Sequence, residues 1–165
     1  ILHFFEHESC GKCVPCREGL RQMLAIYDDL VAGRGRQGDI ERIERLARGM
    51  QLGSLCELGK SAPNPVLSTL RYFRDEYVAH IGDKACPAGI CRELTAYEIV
   101  EDMCDGCHVC FKACPVEAIT GDVKELHVIH QDICTSCGAC FDVCPTEAIR
   151  TFPKIELEAR KAEVV

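Results

Sequence analysis

CDGCHVCFKACPVEAIT (Cys104–Thr120) and CTSCGACFDVCPTEAIR (Cys134–Arg150) align without a gap, thirty residues apart. Each copy spaces four cysteines as C-x2-C-x2-C-x3-C and follows the last with proline. The first run holds Cys104, Cys107, Cys110 and Cys114 before Pro115; the second holds Cys134, Cys137, Cys140 and Cys144 before Pro145. A triplet at i, i+3 and i+6 suits a cubane iron–sulfur cluster, because a short loop wraps one corner and points three thiolates at three irons. The fourth iron is then met by a cysteine from a distant segment. Pro115 and Pro145 are expected to end a short helix behind each loop and to turn the chain into a strand. Thr120-Gly121-Asp122 reads as a turn before the alternating stretch Leu126–His130, which reads as a strand.

The triplet recurs near the start of the chain as Cys10, Cys13 and Cys16, with Cys56 following far downstream. Only Cys86 and Cys91 stand outside these three groups. Fourteen cysteines in 165 residues is a density otherwise met in secreted disulfide scaffolds. No charged n-region precedes an apolar run here, and no cleavage site follows. A disulfide framework also has no use for triplets, so a reducing cytoplasm is the expected compartment. Zinc is the alternative for Cys10, Cys13, Cys16 and Cys56. It usually takes paired Cys-x2-4-Cys units, which a triplet matches less well. Gly11, Pro15 and Gly19 suit a tight loop whose amides point at sulfur, and equally suit plain turn formation.

Charge divides the chain. From Ile1 to Tyr97 thirteen basic and thirteen acidic residues cancel; from Glu98 to Val165 thirteen acidic residues face six basic ones, which places the whole net charge of −7 there. An acidic half laden with thiolates repels phosphate backbones, so nucleic acid is not an expected partner. No apolar run is long enough to cross a bilayer. Ile1 in place of an initiator methionine is expected of a fragment.

The first half reads as helical. Residues 17–31 set Leu20, Met23, Leu24, Tyr27, Leu30 and Val31 on one face. Gly33 and Gly35 end that helix in the basic loop GRGRQG. Asp39 is a good N-cap for a second helix that turns Ile40, Ile43, Leu46, Ala47 and Met50 inward, and Gly53 stops it before Cys56. Asn64-Pro65 opens a third, running through Leu67, Leu70, Phe73 and Tyr77 towards His80. With a short helix at Ile1–His7, these predict a small bundle with both groups of cysteines at one end. The predicted division is a helical cluster domain at 1–80, a connector at 81–96, a two-cluster domain at 97–152 and a tail at 153–165. The fold class is α+β and multidomain.

In the connector, HIGDKACPAGICREL (His80–Leu94), His80, Cys86 and Cys91 read as part of a zinc clip. Two buried thiols or a redox-active pair are the alternatives. A tetrahedral site would lack one ligand, which His3, His7 or a residue upstream of Ile1 could supply. In the second half, Val109, Phe111, Ile119, Ile133, Phe141, Val143 and Ile149 are the expected apolar shell of the clusters. His108, His127 and His130 are expected on the solvated surface.

The duplicated run resembles the bacterial two-cluster ferredoxins. In that family the fourth cysteine of each run serves the other cluster. The resemblance therefore implies one [4Fe-4S] cluster on Cys104, Cys107, Cys110 and Cys144, and another on Cys134, Cys137, Cys140 and Cys114. HESCGKCVPCREG (His7–Gly19) and SLCELGKSAPNP (Ser54–Pro65) resemble the cluster domain of the NADH- and FMN-binding flavoprotein subunit of NADH dehydrogenase. That implies a third [4Fe-4S] cluster, on Cys10, Cys13, Cys16 and Cys56, fed by a flavin. No glycine-rich dinucleotide loop precedes Cys10, so FMN and NAD(P)H are expected on an upstream domain. The connector is similar to that of hydrogenase-type flavoprotein subunits. The assembled order resembles the C-terminal part of the beta subunit of NAD(P)-linked electron-bifurcating iron-only hydrogenases.

By this resemblance the partners are a hydrogenase catalytic subunit, a small thioredoxin-like iron–sulfur subunit and ferredoxin. The segment itself is expected to conduct electrons, with no catalytic residue of its own. The same wire would serve an NAD-dependent formate dehydrogenase or a ferredoxin–NAD(P) oxidoreductase; a zinc-built interaction scaffold is the alternative of another class.

Overall fold

The protein is described by a computed structural model covering residues 1–157. It separates into two compact units, Ile1–Asp83 and Lys84–Val165.

The first unit is helical: α1 (Leu2–Glu8), α2 (Val14–Val31), α3 (Asp39–Gly53), α4 (Glu57–Ser61), α5 (Asn64–Tyr72) and α6 (Arg74–Gly82). The apolar periodicity of α2 and α3 decides their packing. Leu20, Met23, Leu24 and Leu30 of α2 meet Ile40, Ile43, Ala47 and Met50 of α3 in one buried core, which Val66, Leu70 and Ile81 complete. Ile26 joins this core, whereas Val31 stays exposed. Gly38, in the left-handed region, rather than Asp39 precedes the first residue of α3. The Asp39 carboxylate instead accepts from the Arg36 amide at 2.8 Å and closes the loop from below.

The third expected helix is divided. Phe73, with φ −128° and ψ 32°, separates α5 from α6. The break brings Tyr77 to two hydroxyls, each at 2.6 Å: Tyr27, fifty residues away on α2, and Thr69 on α5. Burial, then the Tyr77 hydroxyl, push the Tyr27 phenol far above its ordinary range. α4 is a further addition, a single turn that follows directly on Cys56.

The second unit contains β1 (Thr95–Ile99), α7 (Val109–Ala113), β2 (Ile119–Thr120), β3 (Val128–Ile129), α8 (Ala139–Asp142) and β4 (Ile149–Pro153). β1 pairs antiparallel with β4, from Thr95 opposite Pro153 to Ile99 opposite Ile149. β2 and β3 form a second antiparallel pair, Ile119 opposite Ile129. The sheet reaches past both ends of the expected 97–152 span, since Lys154 N donates to Leu94 O at 2.9 Å. Most of the expected tail, 158–165, lies outside the described residues.

The thirty-residue period extends to the backbone. Gly106 and Ser136, His108 and Gly138, and Glu117 and Glu147 all have positive φ, pair by pair. It also extends upstream of the cysteines: Tyr97 and Ile99 of β1 match His127 and Ile129 around β3. β1 was absent from the expected elements, and its alignment with 127–129 is the signal that reveals it.

Two expectations about burial change. Ile119 and Ile149 are buried, but Val109, Phe111, Ile133, Phe141 and Val143 are exposed. In a one-turn helix only one face can point inward, and Cys110 and Cys140 occupy it. The buried cluster is Tyr97, Ile119, Ile129 and Ile149 around those two cysteines. His127 is not on the surface. It is 1 % exposed, because alternation along the strand puts it on the inner face with Ile129 while Val128 points out. His127 Nδ1–H donates to the Glu125 carbonyl at 3.0 Å, and Nε2 meets His108 Nδ1 at 2.9 Å. His130 is half-buried, with Nε2 2.8 Å from the Thr120 hydroxyl.

Candidate metal centres

None of the fourteen cysteines is joined in a disulfide. In the second unit, twofold repetition of loop and helix builds two small cavities. One is lined by Cys104, Cys107 and Cys110 together with Cys144, under Ile99, His108, His127 and Ile149. The other is lined by Cys134, Cys137 and Cys140 together with Cys114, under Tyr97, Ile119 and Ile129. Each gathers three thiols from its own loop and one from the opposite run. The strand position that covers a cavity carries phenol in one repeat and imidazole in the other.

Electrostatics follow the same grouping. Burial, with the neighbouring Cys104, Cys107 and Cys144, pushes the Cys110 thiol up. Burial, and next Cys134, push Cys140 up to about 11. Burial raises the Tyr97 phenol as well, with Cys140, Asp142, Cys137 and Cys134 adding to it. Crowded thiols that resist ionisation together are what a cationic metal centre would relieve. Donors already face several sulfurs: Ala118 N–H to Cys114 Sγ at 3.2 Å and Ser136 N–H to Cys134 Sγ at 3.4 Å. Cys144 is held low against the cost of burial by the Thr146 hydroxyl and by the amides of Ala148, Thr146 and Ile149.

In the helical unit the cysteines lie at helix starts. Cys13 is the residue before α2, Cys16 sits in its first turn, and Cys56 is the residue before α4. Cys10 and Cys56 are exposed, Cys13 is half-buried and Cys16 is buried. The Leu55 and Cys16 amides lower the Cys13 thiol, which ties the stretch before Cys56 to the Cys10–Cys16 loop. Ser9 Oγ lies 3.4 Å from Cys16 Sγ, and Arg17 braces the loop by donating to Gly11 O at 2.6 Å. Gly59 is required by close approach: a Cβ there would come 2.5 Å from Ser54 Oγ and 2.9 Å from Cys16 Cβ.

Ser54 Oγ is itself buried with no hydrogen-bond partner in the protein. Leaving such a hydroxyl unmet costs about 1–3 kcal/mol. A donor set of soft thiols, a spare hydroxyl and a glycine-sized gap fits a sulfur-rich cluster. A groove of about 480 Å³ between α2 and α3 is lined by no cysteine.

Of the predicted zinc ligands, His80 lies on α6 of the first unit, and Cys86 and Cys91 are half-buried in the second. His80 Nδ1–H donates to the Glu76 carbonyl at 2.6 Å. Cys86 is held below its ordinary range, because the Cys91 and Ile90 amides outweigh the cost of burial. His3 Nδ1 faces the Glu6 carboxylate at 3.9 Å.

Two family models match the sequence. Residues 1–80 match the NADH-ubiquinone oxidoreductase-F iron-sulfur binding region, and residues 96–151 match the 4Fe-4S dicluster domain. Each half of the chain is thus similar to one of these iron–sulfur families. Its relatives include the NADP-reducing hydrogenase subunit HndC of Solidesulfovibrio fructosivorans, 43% identical over 127 residues. Those residues are 77% of this chain and 26% of that protein. The mitochondrial NADH dehydrogenase [ubiquinone] flavoprotein 1 of Dictyostelium discoideum is 41% identical over 76 residues, 46% of this chain and 16% of that protein. The mitochondrial 51 kDa protein of NADH-ubiquinone oxidoreductase from Neurospora crassa is 37% identical over 81 residues, 49% of this chain and 16% of that protein.

The chain thus spans about a quarter or less of the length of these relatives. The oxidoreductase-F region and the dicluster region account for its iron–sulfur character, and the fold is a helix-rich unit followed by a ferredoxin-type unit with small sheets. No helix among the described residues is long and apolar enough to cross a membrane.

Proposed function

We propose that this chain conducts electrons through three [4Fe-4S] clusters, between a flavin and NAD(P)H module and a ferredoxin or hydrogenase partner. The observation that carries this reading is the thiol grouping of the dicluster region, where each cavity takes three cysteines from one run and the fourth from the other. One cluster would be held by Cys104, Cys107, Cys110 and Cys144, and the second by Cys134, Cys137, Cys140 and Cys114. The third would be held by Cys10, Cys13, Cys16 and Cys56 in the oxidoreductase-F region. When bound, each cubane supplies a one-electron carrier. The protein's own part is to exclude water, to aim N–H and O–H groups at sulfur, and to hold the carriers at fixed places.

The similarity to a hydrogenase subunit over 77% of the chain supports a hydrogenase setting over other oxidoreductases with the same wire. In that setting the partners are a catalytic hydrogenase subunit, a small thioredoxin-like iron–sulfur subunit and ferredoxin. FMN and NAD(P)H sit on an upstream domain, and the complex bifurcates electrons in the cytoplasm. His80, Cys86 and Cys91 hold a zinc ion that clips the connector, with its fourth ligand from elsewhere. Metal analysis of the anaerobically reconstituted chain tests this reading. About twelve irons per chain, with broad absorbance near about 400 nm, are expected for three cubanes. Zinc alone in a colourless protein would overturn it. Changing Cys86 and Cys91 to serine should remove the zinc and leave the iron; loss of a whole cubane would make them cluster ligands instead.

A further inference from the structure

We infer that Ser54 is the hydroxyl that raises the reduction potential of the cluster in the oxidoreductase-F region, by donating O–H···S to it. The inference rests on the reading that Cys10, Cys13, Cys16 and Cys56 hold a cubane, and it names a residue that tunes that cubane. Ser54 caps the end of α3, where its own amide bonds to Met50 O at 3.0 Å. Its hydroxyl is spare, 5 % exposed as a residue and unmet by any protein atom.

Its surroundings are the cysteines. Cys56 is two residues on, and Cys16 Cβ and Ser54 Oγ crowd the same gap at Gly59. Ser9, the other hydroxyl of the site, is already placed against Cys16 Sγ. A buried hydroxyl with no protein partner, two residues from Cys56 and across the Gly59 gap from Cys16, would find its acceptor in the sulfur of a bound cluster.

The consequence for redox follows from charge. Reduction brings one electron from an external donor onto the cubane and adds negative charge at sulfur. No covalent bond forms or breaks, and the proton remains on Ser54 Oγ. A hydrogen bond to sulfur is stronger in the reduced state, so it favours reduction. The hydroxyl supplies the donor at a site whose Cys10 and Cys56 lie exposed.

The test is an EPR-monitored redox titration of the reconstituted full chain, wild type against Ser54→Ala. The reduction equilibrium constant of this cubane should fall about tenfold, which is 59 mV for a one-electron couple, while the two dicluster cubanes stay where they were. Ser54→Thr, which keeps the hydroxyl, should recover the wild-type value. In the wild type, ENDOR should detect a proton coupled to this cluster that exchanges in D2O and is lost in Ser54→Ala. An unshifted midpoint with the iron intact would overturn the inference, and so would a wild-type cluster with no exchangeable coupled proton, even if Ser54→Ala fails to assemble. If instead Cys10→Ala leaves the iron content unchanged, the cubane assignment itself fails, and that outcome is separate from any result at Ser54.

Discussion

The two halves of this chain build their cores from different material. In the helical unit the buried core has fifteen members among the described residues, of which Cys16 is the one cysteine. In the dicluster unit it has six, of which Cys110 and Cys140 are two, with Cys114, Cys134 and Cys144 packed against it. The helical unit therefore carries its cluster site at helix ends, beside an apolar core that stands on its own. The dicluster unit encloses its sites, and its short strands and one-turn helices bury little else. Small units with so little apolar surface fold on what they bind.

The largest test of that difference is removal of iron. Anaerobic chelation should let the amides of β1, α7, α8 and β4 exchange with solvent within the earliest time points, while α2 and α3 remain protected. Segment-resolved hydrogen exchange reads both at once. If the two regions lose protection together, the helical core depends on its cluster and the contrast fails.

Next in size is the loss of a single cubane. Cys114→Ala should cost about four of about twelve irons. Adding Cys137→Ala should cost no more, because both residues line the same cavity. Adding Cys107→Ala should double the loss. If these two outcomes are reversed, each run serves its own cluster and the crossing is wrong.

A smaller effect sharpens the helical side. Met50, 1 % exposed, packs against Gly19. Met50→Ala should destabilise that unit by about 2–5 kcal/mol in urea denaturation followed by helical circular dichroism. The iron content of the dicluster unit should not change. A parallel loss of its iron would mean that the two units do not hold their structure independently.

How much could be read in advance also differs between the halves. Cysteine spacing is covalent information, so the loops and their grouping stood in the sequence, and the inward residues of α3 followed from a 3.6-residue period. The break at Phe73 did not, because periodicity runs through 64–80 unbroken. It accompanies the Tyr27–Tyr77 hydroxyl contact between residues fifty apart, a tertiary pairing that periodicity does not carry. His127 was misplaced for a different reason: histidine is usually solvated, and here strand alternation overrides that preference. Ser54 stands two residues from Cys56 in the sequence, but its burial against Gly59 and its missing partner are tertiary facts. β1 is legible as well, because the period of thirty extends upstream of Cys104 and matches Tyr97 and Ile99 to His127 and Ile129.

The central claim is that twelve cysteines hold three one-electron carriers, one in the helical unit and two in the dicluster unit. Spin counting by EPR on the fully reduced, reconstituted chain tests it most directly, beside the variant Cys56→Ala. About three spins per chain are expected, falling to about two in Cys56→Ala. A wild-type chain with no more than about two spins, or a Cys56→Ala chain that keeps all three, would contradict it.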